Sequence, residues 1–178
     1  MKQISGIAGL IALAFTSCSA SRAADWTGFQ NGGQPVVEAA NFPTEWSAKS
    51  GIAWQKKLAG YGQSSPVVSK RQIYVTSVSG PLKDKLHVEA FELKSGKKLW
   101  QTEAENSSPV KSTTYVSKAA PTPVCDDDGV IALFEGGNLL ALTPDGRKRW
   151  NRDLVAEHGG VESRHGLSSS LEQNENCL

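Results

Sequence analysis

The chain has 178 residues, with 19 Lys and Arg against 18 Asp and Glu and a formal net charge of +1. This charge balance excludes nucleic acid or an anionic membrane surface as the main partner. An apolar share of 39% is enough for a packed core, while 17 Gly, 8 Pro and 5 Trp against a single Met exclude a helical bundle and favour a turn-rich β protein.

The N-terminal stretch reads as an export address. Lys2 is followed by the uncharged run Ile4 to Phe15 and then by small residues up to Ala24. The apolar run is too short to span a bilayer, and the layout is that of a secretory signal peptide over residues 1–23. Ser21-Arg22-Ala23 supports cleavage after Ala23. Phe15-Thr16-Ser17-Cys18 reads alternatively as a lipobox with Phe in the usual Leu position, in which case lipid on Cys18 anchors the protein to a membrane. The expected location is therefore periplasmic or secreted, with membrane attachment only if Cys18 is lipidated. After cleavage Cys125 and Cys177 remain. They allow one disulfide but are read as two small buried residues.

The next elements are hairpins. Gln72–Val78 is β-branched and aromatic, and Leu86–Leu93 begins with apolar–polar alternation. Lys94-Ser95-Gly96 makes a turn, and Lys97–Thr102 resumes a strand. Downstream, Gly129–Phe134 and Asn138–Leu142 are strands flanking Gly136-Gly137, and Pro144-Asp145-Gly146 turns into a strand starting at Arg147. No convincing helical period occurs outside weak candidates.

The two halves repeat one another. Ala90–Trp100 parallels Ala141–Trp150, with one residue fewer in the second turn. Trp54, Trp100 and Trp150 recur roughly 45 to 50 residues apart. Ser65-Pro66-Val67-Val68 and Thr122-Pro123-Val124-Cys125 open the two full units, and Gly166–Leu171 echoes Gly62–Val67. A four-stranded unit at this period is the signature of a propeller blade. The predicted fold is all-β, a partial β-propeller of about three four-stranded antiparallel blades, not closed. The expected domains are 24–178 for the repeat region, with 61–110 as the first full blade, 111–157 as the second and 158–178 as the start of a third.

The string Ala90–Trp100, with an acid, a Ser-Gly-Lys turn and a terminal Trp, resembles the quinoprotein-type repeat of PQQ-like β-propellers. Asp25-Trp26-Thr27-Gly28-Phe29, Phe42-Pro43-Thr44-Glu45-Trp46 and Trp54 continue the resemblance, which covers residues 25–178. It implies that Trp54, Trp100 and Trp150 dock blade against blade. Members that are dehydrogenases hold pyrroloquinoline quinone (PQQ) with Ca²⁺, set by Glu, Asn and Asp oxygens, often under an adjacent-cysteine disulfide. This chain has no adjacent Cys pair, and no catalytic Asp or calcium set maps onto it. No catalytic residue and no metal ligand is therefore assigned, and no cofactor is expected; PQQ with Ca²⁺ belongs to the alternative reading as a dehydrogenase fragment oxidising an alcohol or sugar.

Other constellations carry little. Asp126-Asp127-Asp128-Gly129 reads as a hairpin turn, since it lacks the alternating ligands of a calcium loop. His158 and His165, with Glu157 or Glu162, lack a third ligand at useful spacing and are expected in a face loop. His87 sits in a strand with no partner in reach by sequence. Ser168-Ser169-Ser170 is not a nucleophile elbow, and Asn106-Ser107-Ser108 is a chance glycosylation sequon. The resulting expectation is a non-catalytic exported scaffold whose partners are other proteins of the cell envelope, bound through loops such as Glu103–Lys118 and Val155–Gly166. The family includes such an outer-membrane assembly scaffold, itself a lipoprotein. Because Cys177-Leu178 falls where Ile73-Tyr74 opens a second strand, the chain is also expected to be a truncated product.

Overall fold

The computed structural model describes residues 25–33, 35–36, 43–47, 49–109, 118–160 and 166–174. Among the described residues eight strands form two four-stranded antiparallel sheets, each in the order of the chain. The first contains β1 (Val67–Ser69), β2 (Gln72–Ser79), β3 (Lys85–Glu92) and β4 (Lys98–Glu105). The second contains β5 (Val124–Asp126), β6 (Gly129–Leu133), β7 (Asn138–Leu142) and β8 (Lys148–Asp153). Each sheet is an up-and-down meander because every connection within it is a short turn. The strand bounds differ from the sequence-based ones by up to three residues, most at the end of β4, which runs to Glu105 where the sequence reading stops at Thr102.

Period-two alternation decides what each sheet buries. Tyr74, Val78, Leu86, Val88 and Ala90 on one face of the first sheet meet Cys125, Val130, Ala132, Phe134, Leu140 and Leu142 of the second. The opposite face of the second sheet collects Val124, Ile131, Leu133, Leu139 and Ala141, with Trp150, Leu154 and Leu171 packed against them. The second sheet is thus apolar on both faces, which is why β6 and β7 are nearly unbroken apolar runs. The far face of the first sheet is different: Ser77, His87 and Glu89 are buried there.

The repeat extends to backbone detail. In both sheets the register shifts by one residue at the end of the third strand, between Ala90 and Phe91 and between Ala141 and Leu142. Leu99 and Arg149 are the extra residues, and each bulge directly precedes the Trp that pairs with Ala90 or Ala141. A bulge bends and twists its strand locally, so it aims the following side chain. The two sheets lie with β1 against β5, and the segment at Trp26-Thr27 runs between these two strands. Trp26 exchanges both backbone hydrogen bonds with Val68, and Cys125 N–H donates to Thr27 O at 2.8 Å.

One element departs from expectation. Leu154–His158 is a short helix, not a loop, because the Asp153 side chain caps it by accepting from Ala156 N–H at 3.0 Å.

Candidate functional site

Two of the three repeated tryptophans sit in equivalent docks. Trp54 donates its indole N–H to Leu93 O at 3.0 Å, and Trp100 donates to Pro144 O at 2.8 Å. Each ring lies over the glycine of a third-to-fourth-strand turn, Gly96 for Trp54 and Gly146 for Trp100. Both glycines have positive φ, 66° and 83°, and a Cβ at either would enter the ring. The turn therefore needs glycine twice over, for its backbone and for the indole face. Tyr74 also meets Trp100 with centroids 5.9 Å apart. Trp150 packs on the apolar far face of its own sheet.

Where the inner strands converge, equivalent positions of successive repeats bond to each other. Ser65 N–H donates to Thr122 Oγ1 at 3.2 Å, and Ser69 Oγ donates to Asp126 O at 3.3 Å. Thr122 N–H donates to Ser170 Oγ at 3.1 Å, one position beyond the residue that the sequence echo places there. Gln173 Nε2 donates to Asp126 Oδ2 at 2.8 Å. Two clefts open along this line. One, of about 460 Å³, is lined by Asp25, Thr27, Ser69, Cys125, Asp126 and Glu172. The other, of about 480 Å³, is lined mainly by hydroxyls and amides, among them Gln63, Ser65, Thr122 and Ser169, beside Phe29.

The electrostatics of this region are structural. Cys125 is a free, buried thiol. Burial, with Asp25 and Asp126 adding to it, pushes its pKa up to about 12. Burial likewise pushes Tyr74 up to about 12. Lys83 and Glu135 are both 2% exposed and approach at 3.9 Å, joining the β2–β3 loop to the β6–β7 turn. Glu135 also accepts from Ala120 N–H at 3.1 Å, whereas Lys83 Nζ makes no hydrogen bond. Its buried ammonium is pushed below the ordinary lysine range by desolvation, which the Glu135 charge only partly offsets.

The structure sorts the residues singled out by sequence. Asp126 does form a hairpin turn, with Oδ1 accepting from Asp128 N–H at 2.8 Å and Gly129 N–H at 3.1 Å. Asp127 and Asp128 turn outward to Lys70 and Arg149. Glu157 pairs with Arg152 and lies 3.7 Å from His158, while Glu162 and His165 lie outside the described residues. Cys18, Cys177 and the central parts of the expected contact loops, residues 110–117 and 161–165, lie outside them as well. His87 is the correction: sequence reading gives it no partner, yet the sheet brings Ser79 and Glu103 to its two ring nitrogens. Strand pairing across two hairpins, not spacing along the chain, creates that cluster. Among the described residues no three His, Cys, Asp or Glu side chains converge to hold a metal ion.

Two meandering four-stranded sheets that pack face to face, with a Trp–Gly dock repeated from one unit to the next, define a β-propeller repeat protein. The chain belongs to the PQQ-type repeat family whose model is described as outer membrane protein assembly factor BamB, matched over residues 23–173. Comparison with curated proteins found no match.

Proposed function

We propose that this protein is an envelope scaffold: a propeller-type repeat protein that holds other proteins together during outer-membrane assembly and does not oxidise a substrate through a quinone. The observation that carries the reading is the family match across nearly the whole repeat region. The repeated Trp docks and the doubly buried second sheet support it, because they make a rigid platform whose connecting loops are free to vary. Export to the periplasmic side follows from residues 1–23, with attachment to a membrane only through lipid on Cys18.

The test is in-cell crosslinking from an envelope fraction, followed by identification of the captured proteins. Enrichment of a component of the outer-membrane protein assembly machinery supports the scaffold, and its absence from the crosslinked set overturns it. Dye reduction that requires both added PQQ and Ca²⁺, abolished by a chelator, would overturn it in favour of a dehydrogenase. Intact mass of the exported protein reads the processing: a diacylglycerol adduct on Cys18 means an anchored form, and a start at Ala24 a soluble one.

A further inference from the structure

The polar far face of the first sheet contains an arrangement that a scaffold does not need. Ser77, His87 and Glu103 stand opposite one another across β2, β3 and β4. Ser79 lies two residues beyond Ser77, on the same face at the end of β2. Its Oγ is 2.8 Å from His87 Nε2. His87 is 3% exposed, and its Nδ1 is buried without a hydrogen-bond partner. That nitrogen is 3.7 Å from Glu103 Oε2, while Lys85 Nζ holds the other Glu103 oxygen at 3.2 Å. Lys85 also pairs with Glu105.

The Glu103 charge favours one tautomer over the other. A carboxylate on the Nδ1 side favours the proton there, which leaves the Nε2 lone pair to accept from the Ser79 hydroxyl. A serine hydroxyl bonded to a basic imidazole nitrogen, with an acid behind the ring, is the logic of an activated nucleophile. Ser79 is partly exposed where the strand ends, so a ligand can reach it from solvent. Asp84, Glu103 and Glu105 outnumber Lys85 around this strand end, which disfavours an anionic ligand.

We propose that Ser79 is a nucleophile for acyl transfer from neutral or cationic esters, with His87 as its general base and Glu103 as a positioning residue. Ser79 Oγ attacks the ester carbonyl carbon and its proton passes to His87 Nε2. The bond to the alcohol oxygen breaks, and the departing alcohol takes that proton. Water then attacks the acyl-serine, its proton passing by way of His87 to Ser79, which regenerates the hydroxyl and releases the acid. No other reactant is required.

The experiment is labelling of the full chain with a fluorophosphonate probe, with the modified peptide mapped by mass spectrometry. The expected result is a label on Ser79 that is lost in Ser79→Ala. The labelling rate is expected to fall by ~100-fold or more in His87→Gln, in line with the usual contribution of a general base. Glu103→Gln lowers the rate, and Glu103→Asp restores part of it, which a merely structural role for Glu103 would not do. Hydrolysis of p-nitrophenyl acetate by the unmodified protein, absent in a Ser79→Ala variant with an unchanged melting temperature, gives a second reading that does not depend on whether His87→Gln folds. The proposal is overturned if the folded full chain leaves Ser79 unlabelled, or if His87→Gln folds and labels at the original rate.

Discussion

The Trp dock makes a quantitative prediction through Gly146→Ala. Gly146 has φ of 83°, and a Cβ there would sit 2.6 Å from Trp100 Cδ2 and 2.8 Å from Cε3. The left-handed backbone alone costs about 1–2 kcal/mol for alanine. The ring must also retreat, which loosens the Nε1 hydrogen bond to Pro144 O, worth about 1 kcal/mol, and the contact with Tyr74, worth about 0.5–1.5 kcal/mol. The expected loss is about 3–4 kcal/mol in all. A Trp100→Leu background supplies the control, because it removes the ring that the added Cβ would meet. Gly146→Ala made in that background therefore carries only the backbone part, about 1–2 kcal/mol. Stiffening of the unfolded chain is the same in both backgrounds and cancels in the comparison. Urea denaturation followed by the fluorescence of the remaining tryptophans measures the two. If Gly146→Ala costs the same in both backgrounds within about 0.5 kcal/mol, the ring does not confine Gly146 and the docking argument is wrong.

Other features give further expectations. Lys70 and Arg71 form the two-residue β1–β2 turn with φ of 47° and 69°, so Arg71→Gly is expected to stabilise by up to about 1 kcal/mol in the same denaturation assay, since its exposed contact with Glu92 contributes little. Lys83→Met should destabilise by leaving the buried Glu135 carboxylate without its countercharge, while Lys83→Met with Glu135→Gln should recover most of the loss and keep the acceptor for Ala120 N–H; a double variant no more stable than the single one refutes this. Cys125, with its thiol raised to about 12, should resist iodoacetamide at pH 8 in the folded protein and react once urea unfolds it. The same shift fixes the sign of its pH dependence. The folded state holds the thiol proton more tightly, so the stabilisation is complete below the unfolded value of 9.0 and is lost as pH rises from there towards about 12.

Much of the architecture is written in local sequence. The hairpins around Gly96 and Gly146, the strands of β6 and β7 and the recurrence of Trp all follow from turn chemistry and period, which act over a few residues. The short helix after β8 has no signature in the hydrophobic pattern, because a single cap, Asp153, makes it and no buried stripe marks it. His87 is the sharper case, because its neighbours Ser79 and Glu103 come to it only through strand register.

That this is a β-repeat protein of the PQQ type, and which tryptophans mark its period, is legible in short strings that repeat along the chain. Which glycine each indole covers, that one sheet is apolar on both faces while the other hides polar groups on its far face, and which polar groups meet there emerge only once the sheets pack. These outcomes depend on register, bulges and sheet-on-sheet packing, where residues dozens of positions apart become neighbours, and no local string records that pairing.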